Sequence, residues 1–324
     1  MLEYHLNNTS HTFFILNGFQ SLDKWRPVLA APFLLMFILS IIGNSVLSYI
    51  ILTNRNLHSP MFVLIGLLAV DDLCIPLFAV SHMLLSFLFN LNTISLNGCL
   101  LEMFFTIFFQ SFQSTILLWM ALDRYFAICT PLYYHKHMAF PNFLKFIILP
   151  CLRNVTLVIL VIGLAGSLSF CHTNVMDHCF CEHMALVQLA CGDTSINNLV
   201  GLVGAFLVAT ADCVLIAVSY IIIFSTVIKS GQSHSKAINT CITHIIVMTV
   251  SLTLTLIAFM SYRIRNNLSS NNRILISLMY LLFPSCFNPI IYGVRIKEIR
   301  QQLLHIMRNR WIFPISGKPT NSIS

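Results

Sequence analysis

Long apolar stretches separated by short polar connections dominate the pattern of this chain. Seven of them lie near residues 27–52, 60–85, 99–129, 146–169, 197–228, 237–262 and 273–294. About 20 apolar residues suffice for a helix to cross the hydrocarbon core of a bilayer. Lipid offers no partners to backbone polar groups, so only helices or closed barrels can span it, and barrel strands are much shorter. The pattern therefore predicts an all-α membrane protein built as a seven-transmembrane helix bundle.

Composition strengthens this prediction. The chain is 57% hydrophobic and 9% charged, with a mean hydropathy of +0.83. Soluble domains carry about a quarter charged residues, so a soluble globular fold is excluded. We expect an extracellular N-terminal segment over 1–26, a transmembrane domain over 27–294 and a cytoplasmic tail over 295–324. The first 26 residues show no cleavable signal peptide, so the first helix is expected to act as the signal anchor.

Basic residues predict the orientation. With the N-terminus outside, twelve lysines and arginines fall on the inner side and five on the outer side, while Arg153 lies within the fourth apolar segment. This excess favours an outside N-terminus and an inside C-terminus. The net charge of +7 then reflects the cytoplasmic face of a membrane, with its anionic lipid, rather than a nucleic-acid partner. Asn7 and Asn8 begin overlapping glycosylation motifs that are usable only outside.

Five of the 11 cysteines fall on the predicted outer side: Cys99, Cys171, Cys179, Cys181 and Cys191. That compartment is oxidising, so pairing is expected, and an odd number leaves one thiol over. The residues alone leave the connectivity open. A zinc site at Cys179, Cys181 and His178 is a weak alternative, because no second cluster matches it.

Several short motifs along the chain carry its candidate chemistry. The stretch MALDRYFAIC over 120–129 places Asp123, Arg124 and Tyr125 at the end of an apolar helix, where charge is costly and usually functional. Other stretches are Gly43–Asn44, LHSPMF over 57–62, Asp72, CTPLY over 129–133, Ser219–Tyr220, KAINTCITH over 236–244 and PSCFNPIIY over 284–292. Together, over nearly the whole chain, they resemble the olfactory receptors, a branch of the rhodopsin-like G-protein-coupled receptors.

The resemblance implies an odorant-sensing receptor that binds a small molecule and activates a stimulatory, olfactory-type G protein. It implies a switch formed by Asp123, Arg124, Tyr125, Tyr220, His244, Asn288, Pro289 and Tyr292, and a polar core formed by Asn44, Asp72 and Gln113. Arg124 cannot lose its proton, and Asp123 is its expected partner in the resting state. Pro289 removes a helical hydrogen bond, and we expect Asn288 to satisfy the freed backbone group.

Further residues resemble the class I, or fish-like, subgroup: Trp25, the stretch CEHM over 181–184, and Asp212. This implies disulfides Cys99–Cys181 and Cys171–Cys191, with Cys179 unpaired. The chain departs from the family at Gln113, where the subgroup carries glutamate, so bound sodium is in doubt. It also departs at Ser251, Leu252 and Leu254 in helix six, at Ser81 and His82 in helix two, and in the doubled acid Asp71–Asp72.

Ligand pockets of helix bundles lie between helices and are mostly apolar. The candidates in the outer half are Phe104, Ile107, Phe108, Phe206, Phe259, Tyr262, Met279, His183 and Arg263. Arg263 stands where class I receptors for carboxylic acids carry an arginine, and a guanidinium pairs bidentately with a carboxylate. The alternative is a solvated or snorkelling charge.

Two receptor functions remain open: an odorant receptor, or a receptor of the same fold for an endogenous metabolite. Against a transporter or channel, the chain shows no repeated halves or matching broken segments. Against an enzyme, it shows no nucleophile elbow, metal-ligand helix or phosphate loop. No cofactor or metal is implied, and the expected location is the plasma membrane, in several passes.

Overall fold

The computed structural model describes residues 10–19, 25–230, 235–263 and 268–311. Its helices are α1 (Arg26–Thr53), α2 (Pro60–Ala79), α3 (Ser81–Phe89), α4 (Leu96–Cys129), α5 (Tyr134–His137), α6 (Phe140–Gly166), α7 (His183–Val187), α8 (Ser195–Ser230), α9 (Ser235–Arg263), α10 (Ser270–Arg295) and α11 (Lys297–Trp311). Its strands are β1 (Phe13–Leu16), β2 (Thr93–Ser95) and β3 (Val175–Met176).

Seven helical stretches of these residues are long and apolar enough to cross a membrane: Val28–Thr53, Pro60–Phe89, Leu96–Cys129, Phe146–Gly166, Ser195–Lys229, Cys241–Ser261 and Ser270–Arg295. The predicted seven-helix bundle is confirmed, with helix ends that differ by a few residues. Large apolar side chains such as Leu52 and Leu149 are 75% and 73% exposed. In a bilayer this surface contacts lipid, so its exposure carries no penalty.

Prolines shape the helices of the bundle. A proline inside a helix leaves the carbonyl four residues earlier without its hydrogen bond, and lipid cannot replace it. The hydroxyl of Ser40 donates to the carbonyl of Asp72, which Pro76 frees, at 3.3 Å. The indole of Trp119 donates to the carbonyl of Phe146, freed in the same way, at 3.2 Å. Side chains of neighbouring helices thus satisfy these two carbonyls, and the hydrogen bonds join α1 to α2 and α4 to α6.

The second apolar segment is not one helix. Helix α2 ends at Ala79 and α3 begins at Ser81, with Val80 between them. Pro76 lies in the last turn of α2, so the chain can change direction there at little further cost. The hydropathy pattern cannot predict this break, because both sides of it are equally apolar.

A three-stranded sheet covers one end of the bundle, called here the sheet end. Strand β1 lies in the middle, antiparallel to β2 and parallel to β3. Phe14 and Leu16 of β1 are fully buried, and the Phe14 ring meets that of Phe170 edge-on at 5.2 Å. Part of the predicted N-terminal segment is therefore packed onto the bundle.

Two disulfides fasten this end. They join Cys99 to Cys181 and Cys171 to Cys191, with Cα–Cα distances of 5.3 and 5.7 Å. These are the pairs that the resemblance implied. Cys179 is buried as a free thiol, and burial raises the pKa of that thiol well above its usual value. Because Cys181 is bonded to sulfur, the alternative zinc site is excluded.

The opposite end, called here the Arg124 end, carries helix α11. Its residue Ile299 is buried together with Ile296 in an apolar cluster that includes Leu47 and Tyr292. The predicted tail therefore begins with a helix packed onto the bundle. Asn7 and Asn8, the predicted glycosylation sites, lie outside the described residues.

Candidate ligand cavity and signalling site

A cavity of about 250 Å³ opens inside the bundle toward the sheet end. Helix α7 lies against it through His183 and Met184. Glu182 caps this helix by accepting a hydrogen bond from the backbone of Ala185 at 2.8 Å. The lining residues come from α4, α6, α8, α9, α10 and the α7 region: Ile107, Gln110, Ser111, Gln113, Ser114, Leu117, Leu157, Val161, Glu182, His183, Met184, Gly201, Gly204, Ala205, Val208, Ser251, Leu252, Thr255, Ala258, Phe259, Ser277 and Tyr280.

The predicted ligand residues Ile107, His183 and Phe259 line this cavity. Phe104 and Phe108 are not among its lining residues, and their role as ligand contacts stays a prediction. Successive residues turn by 100° around a helix, which places both beside the face that carries Ile107. Their rings stack on each other at 5.9 Å, and Phe104 meets Phe105 edge-on at 5.4 Å. They belong to an aromatic ladder between helices.

Phe206 and Met279 are likewise not among the lining residues, and their role as ligand contacts stays a prediction. Phe206 is 44% exposed, and its ring meets that of Phe259 edge-on at 5.3 Å. It therefore supports a lining residue from behind. On α10 the cavity is lined by Ser277 and Tyr280, and Met279 points to a different side because of the 100° turn.

The side chains of Tyr262 and Arg263 lie outside the described residues. The backbone of α9 continues to Arg263, and Phe259, four residues earlier, lines the cavity. Arg263 therefore follows Phe259 by one helical turn along α9.

A polar core lies below the cavity, around the fully buried carboxylate of Asp72. The amide of Gln113 donates to it at 2.7 Å, and the amide of Asn288 donates to it at 2.8 Å. Three helices, α2, α4 and α10, thus meet at one carboxylate.

Asn44 completes this core through the backbone of α10. Its amide donates to the carbonyl of Ser285 at 2.7 Å, and this is the carbonyl that Pro289 leaves without a helical donor. The expectation that Asn288 satisfies that group is wrong. Its amide is held by Asp72, so the asparagine of α1 takes the role instead.

At the Arg124 end, Arg124 and Asp123 form an ion pair. The Nε of Arg124 donates to a carboxylate oxygen of Asp123 at 2.9 Å, and a second guanidinium nitrogen contacts the same oxygen. The Tyr134 hydroxyl donates to the other oxygen at 2.7 Å. Burial, followed by the charge of Asp123, raises the pKa of Tyr134 above its usual value. Tyr134 belongs to α5, so no apolar pattern could predict this contact.

Three further switch residues lie at the same end of the bundle. Tyr220, His244 and Tyr292 are all buried, and the rings of His244 and Tyr292 lie 5.9 Å apart at nearly right angles. Arg124 is close enough to act electrostatically on Tyr220 and His244. Within the described residues, both ring nitrogens of His244 and both tyrosine hydroxyls have no hydrogen-bond partner. Tyr125, the third residue of its motif, is half-buried.

A second ion pair lies in the membrane-spanning part, where the motifs give no sign of it. Arg153 of α6 binds Asp212 of α8 through two nitrogens, at 2.7 and 3.0 Å. Ser114 donates to the same carboxylate at 2.8 Å, and Thr115 accepts from Arg153 at 3.3 Å. Asn154, which begins a glycosylation motif, is fully buried beside them. Opposite charges in two apolar segments could have predicted this pairing.

Comparison with known proteins agrees with this architecture. Residues 33–310 match the family described as olfactory receptor. Human olfactory receptor 52K1 is 35% identical over 96% of this chain and 99% of its own length. Human olfactory receptor 52K2 is 37% identical over 92% of this chain and 96% of its own.

The crystal structure of squid rhodopsin superposes with a TM-score of 0.65 over 89% of this chain and 87% of its own, at 16% identity. That likeness shows the fold of a rhodopsin-like receptor. The family consists of receptors rather than enzymes, which sense small molecules from the plasma membrane and couple to G proteins. This chain belongs to the olfactory receptor family of seven-helix G-protein-coupled receptors.

Proposed function

We propose that this receptor senses a small carboxylic acid in the cavity between α4, α8 and α9 and activates a stimulatory G protein at the Arg124 end. In this arrangement the sheet end faces outward and the Arg124 end faces the cytoplasm. The excess of basic residues on the connections of the Arg124 end supports this orientation.

The position of Arg263 carries the proposal of an acidic ligand. It follows Phe259, a lining residue, by one helical turn. The described lining residues include no lysine or arginine, so Arg263 would be the cation closest to a ligand carboxylate. A guanidinium matches a carboxylate with two parallel hydrogen bonds.

The ion pair of Asp123 and Arg124 supports the coupling mechanism. Arg124 is held at one side of the bundle by Asp123, and in this fold outward movement of α9 opens a cleft beside it. The buried His244, Tyr220 and Tyr292, whose polar atoms have no partner among the described residues, would gain partners on that movement. The open state, with Arg124 released, would then receive the C-terminal helix of the G protein.

The coupling is tested by measuring ligand-driven cAMP in cells that display the receptor. Arg124→Ala should abolish the response at matched surface levels, while Arg300→Ala, an exposed change on α11, should leave it intact. Equal cAMP responses of the Arg124→Ala variant and the unchanged receptor would refute the role of Arg124.

The ligand class is tested with straight-chain carboxylic acids and their primary amides. A hydrogen bond to a charged group contributes roughly 1.5–3 kcal/mol, so Arg263→Ala should raise the half-maximal acid concentration about ten- to hundredfold. Arg263→Lys should recover part of the loss, and Arg265→Ala is the matched control. Amides as potent as the acids, or an unchanged potency in Arg263→Ala, would contradict the acid anchor.

A further inference from the structure

We propose that Gln110 and Ser251 form a second polar contact for the ligand, deep in the cavity, which takes a hydrogen-bonding oxygen such as a ketone or hydroxyl. Gln110 lies on α4 and Ser251 on α9, and both line the cavity. The proposal rests on the proposed function, because it names a second group on the same ligand.

The hydrogen bonds of the cavity single out these two residues. Thr255 donates to the carbonyl of Ser251 at 2.9 Å, and Ser111 donates to the carbonyl of Ile107 at 2.8 Å. Ser114 is engaged by Asp212, as described above. Most lining polar groups are therefore occupied by the protein itself, and a ligand would have to displace those bonds to use them.

Gln110 and Ser251 differ from these groups. The amide nitrogen of Gln110 and the hydroxyl of Ser251 are buried and have no hydrogen-bond partner among the residues that the structure describes. Ser251 is 6% exposed. A buried polar group without a partner lowers stability, so its presence beside a cavity needs a partner from outside the chain. The Gln110 amide donates a hydrogen bond, and a ketone or hydroxyl oxygen accepts one.

This contact lies far from Arg263 along helix α9. Ser251 and Arg263 of α9 are twelve residues apart in the sequence, which corresponds to about 18 Å along the helix at 1.5 Å per residue. The two anchors therefore hold opposite ends of one ligand. An acid that carries a keto or hydroxyl group near the end of its chain away from the carboxylate matches this arrangement.

The test compares a medium-chain straight acid with the same acid carrying a ketone near its far end, as agonists in the cAMP assay. The ketone should lower the half-maximal concentration about three- to tenfold, because one neutral hydrogen bond is gained. Gln110→Met and Ser251→Ala should each bring the ratio of the two half-maximal concentrations back toward one. Thr255→Val, which removes an occupied hydroxyl one turn away, should preserve the gain.

A second pair keeps the proposal independent of the acid anchor. Methyl pentyl ketone is compared with the alkene in which a methylene group replaces its oxygen. Both are tested up to higher concentrations than the acids, because a neutral ligand lacks the contact with Arg263. A response that depends on the oxygen and on Gln110 or Ser251 supports the proposal even if acids are inactive. If neither pair shows such a dependence, or if the variants weaken both members equally, the proposal is overturned.

The melting temperature of the purified, ligand-free receptor separates this contact from a structural role. Ser251→Ala should not lower it, since the hydroxyl has no partner to lose among the described residues. A drop of several degrees together with an unchanged preference for the keto acid would show that Ser251 serves packing only.

Discussion

The ion pair of Arg153 and Asp212 should hold α6 to α8 in a way that single substitutions reveal. The carboxylate is fully buried, and the guanidinium side chain is 17% exposed. Removing one member leaves the other charge buried without its partner, which costs about 3–5 kcal/mol. Asp212→Leu or Arg153→Met alone should therefore remove a large share of the free energy of unfolding, which is about 5–15 kcal/mol for a typical protein.

The double variant gives the sharper result. When both charges are replaced by apolar side chains of similar size, no charge is left unpaired, and the change is often neutral or stabilising by about 1–4 kcal/mol. Arg153→Met with Asp212→Leu should thus recover most of what either single change loses. The two effects are strongly non-additive, as expected for residues in direct contact.

Surface display by flow cytometry and melting of the detergent-solubilised receptor measure this cycle. The single variants should be retained inside the cell and melt at lower temperature, and the double variant should return to the surface. Arg308→Met removes an exposed arginine of α11 and controls for loss of positive charge. Single variants that melt like the unchanged receptor, or a double variant as unstable as the singles, would refute the reasoning.

Three further outcomes are expected from local geometry. A Cβ on Gly43 would lie 2.9 Å from the ring of Pro289, so Gly43→Val should cost about 1–3 kcal/mol and lower the melting temperature. Cys99→Ser should cause retention in the cell, since a disulfide contributes about 2–4 kcal/mol, whereas Cys179→Ser should reach the surface; peptide mapping that finds these two cysteines bonded would contradict this. Burial lowers the pKa of His178 from 6.5 to about 4, so protonation favours the unfolded state; melting temperatures should fall as pH drops from 6.5 toward 4, and His178→Gln should flatten that fall.

The bundle could be predicted because each of its helices is long, apolar and bounded by polar residues. What could not be predicted depends on tertiary contacts. The break at Val80 lies inside a continuous apolar run, and β1 is only four residues long. Helix α11 has a strong amphipathic face, with Ile299 buried in it, but its many charged residues resemble an ordinary cytoplasmic tail.

The candidate site divides in the same way. Asp72 and its donor Gln113 were both expected in the polar core, and the structure brings them into contact. The cavity-lining face of α4 could not be predicted in this way. Apolar character favours Phe104 and Phe108, whereas the polar Gln110 and Ser114 line the cavity. In a membrane protein the apolar face points to lipid or to neighbouring helices, so polar periodicity is the better predictor of a cavity.

The distribution of satisfied polar groups indicates where this receptor can change its shape. Three carbonyls freed by prolines accept hydrogen bonds from Ser40, Trp119 and Asn44 of neighbouring helices. These bonds join α1 to α2 and α10, and α4 to α6. None of these three carbonyls is bonded by α9, and the buried polar atoms of His244 and Ser251 on this helix have no partner among the described residues. A helix that carries unused hydrogen-bonding groups both at the cavity and at the Arg124 end has alternatives to its present position. The proposed ligand contact at Ser251 and new partners at His244 would both act on this one helix, which would give a physical reason for a movement of α9 in signalling.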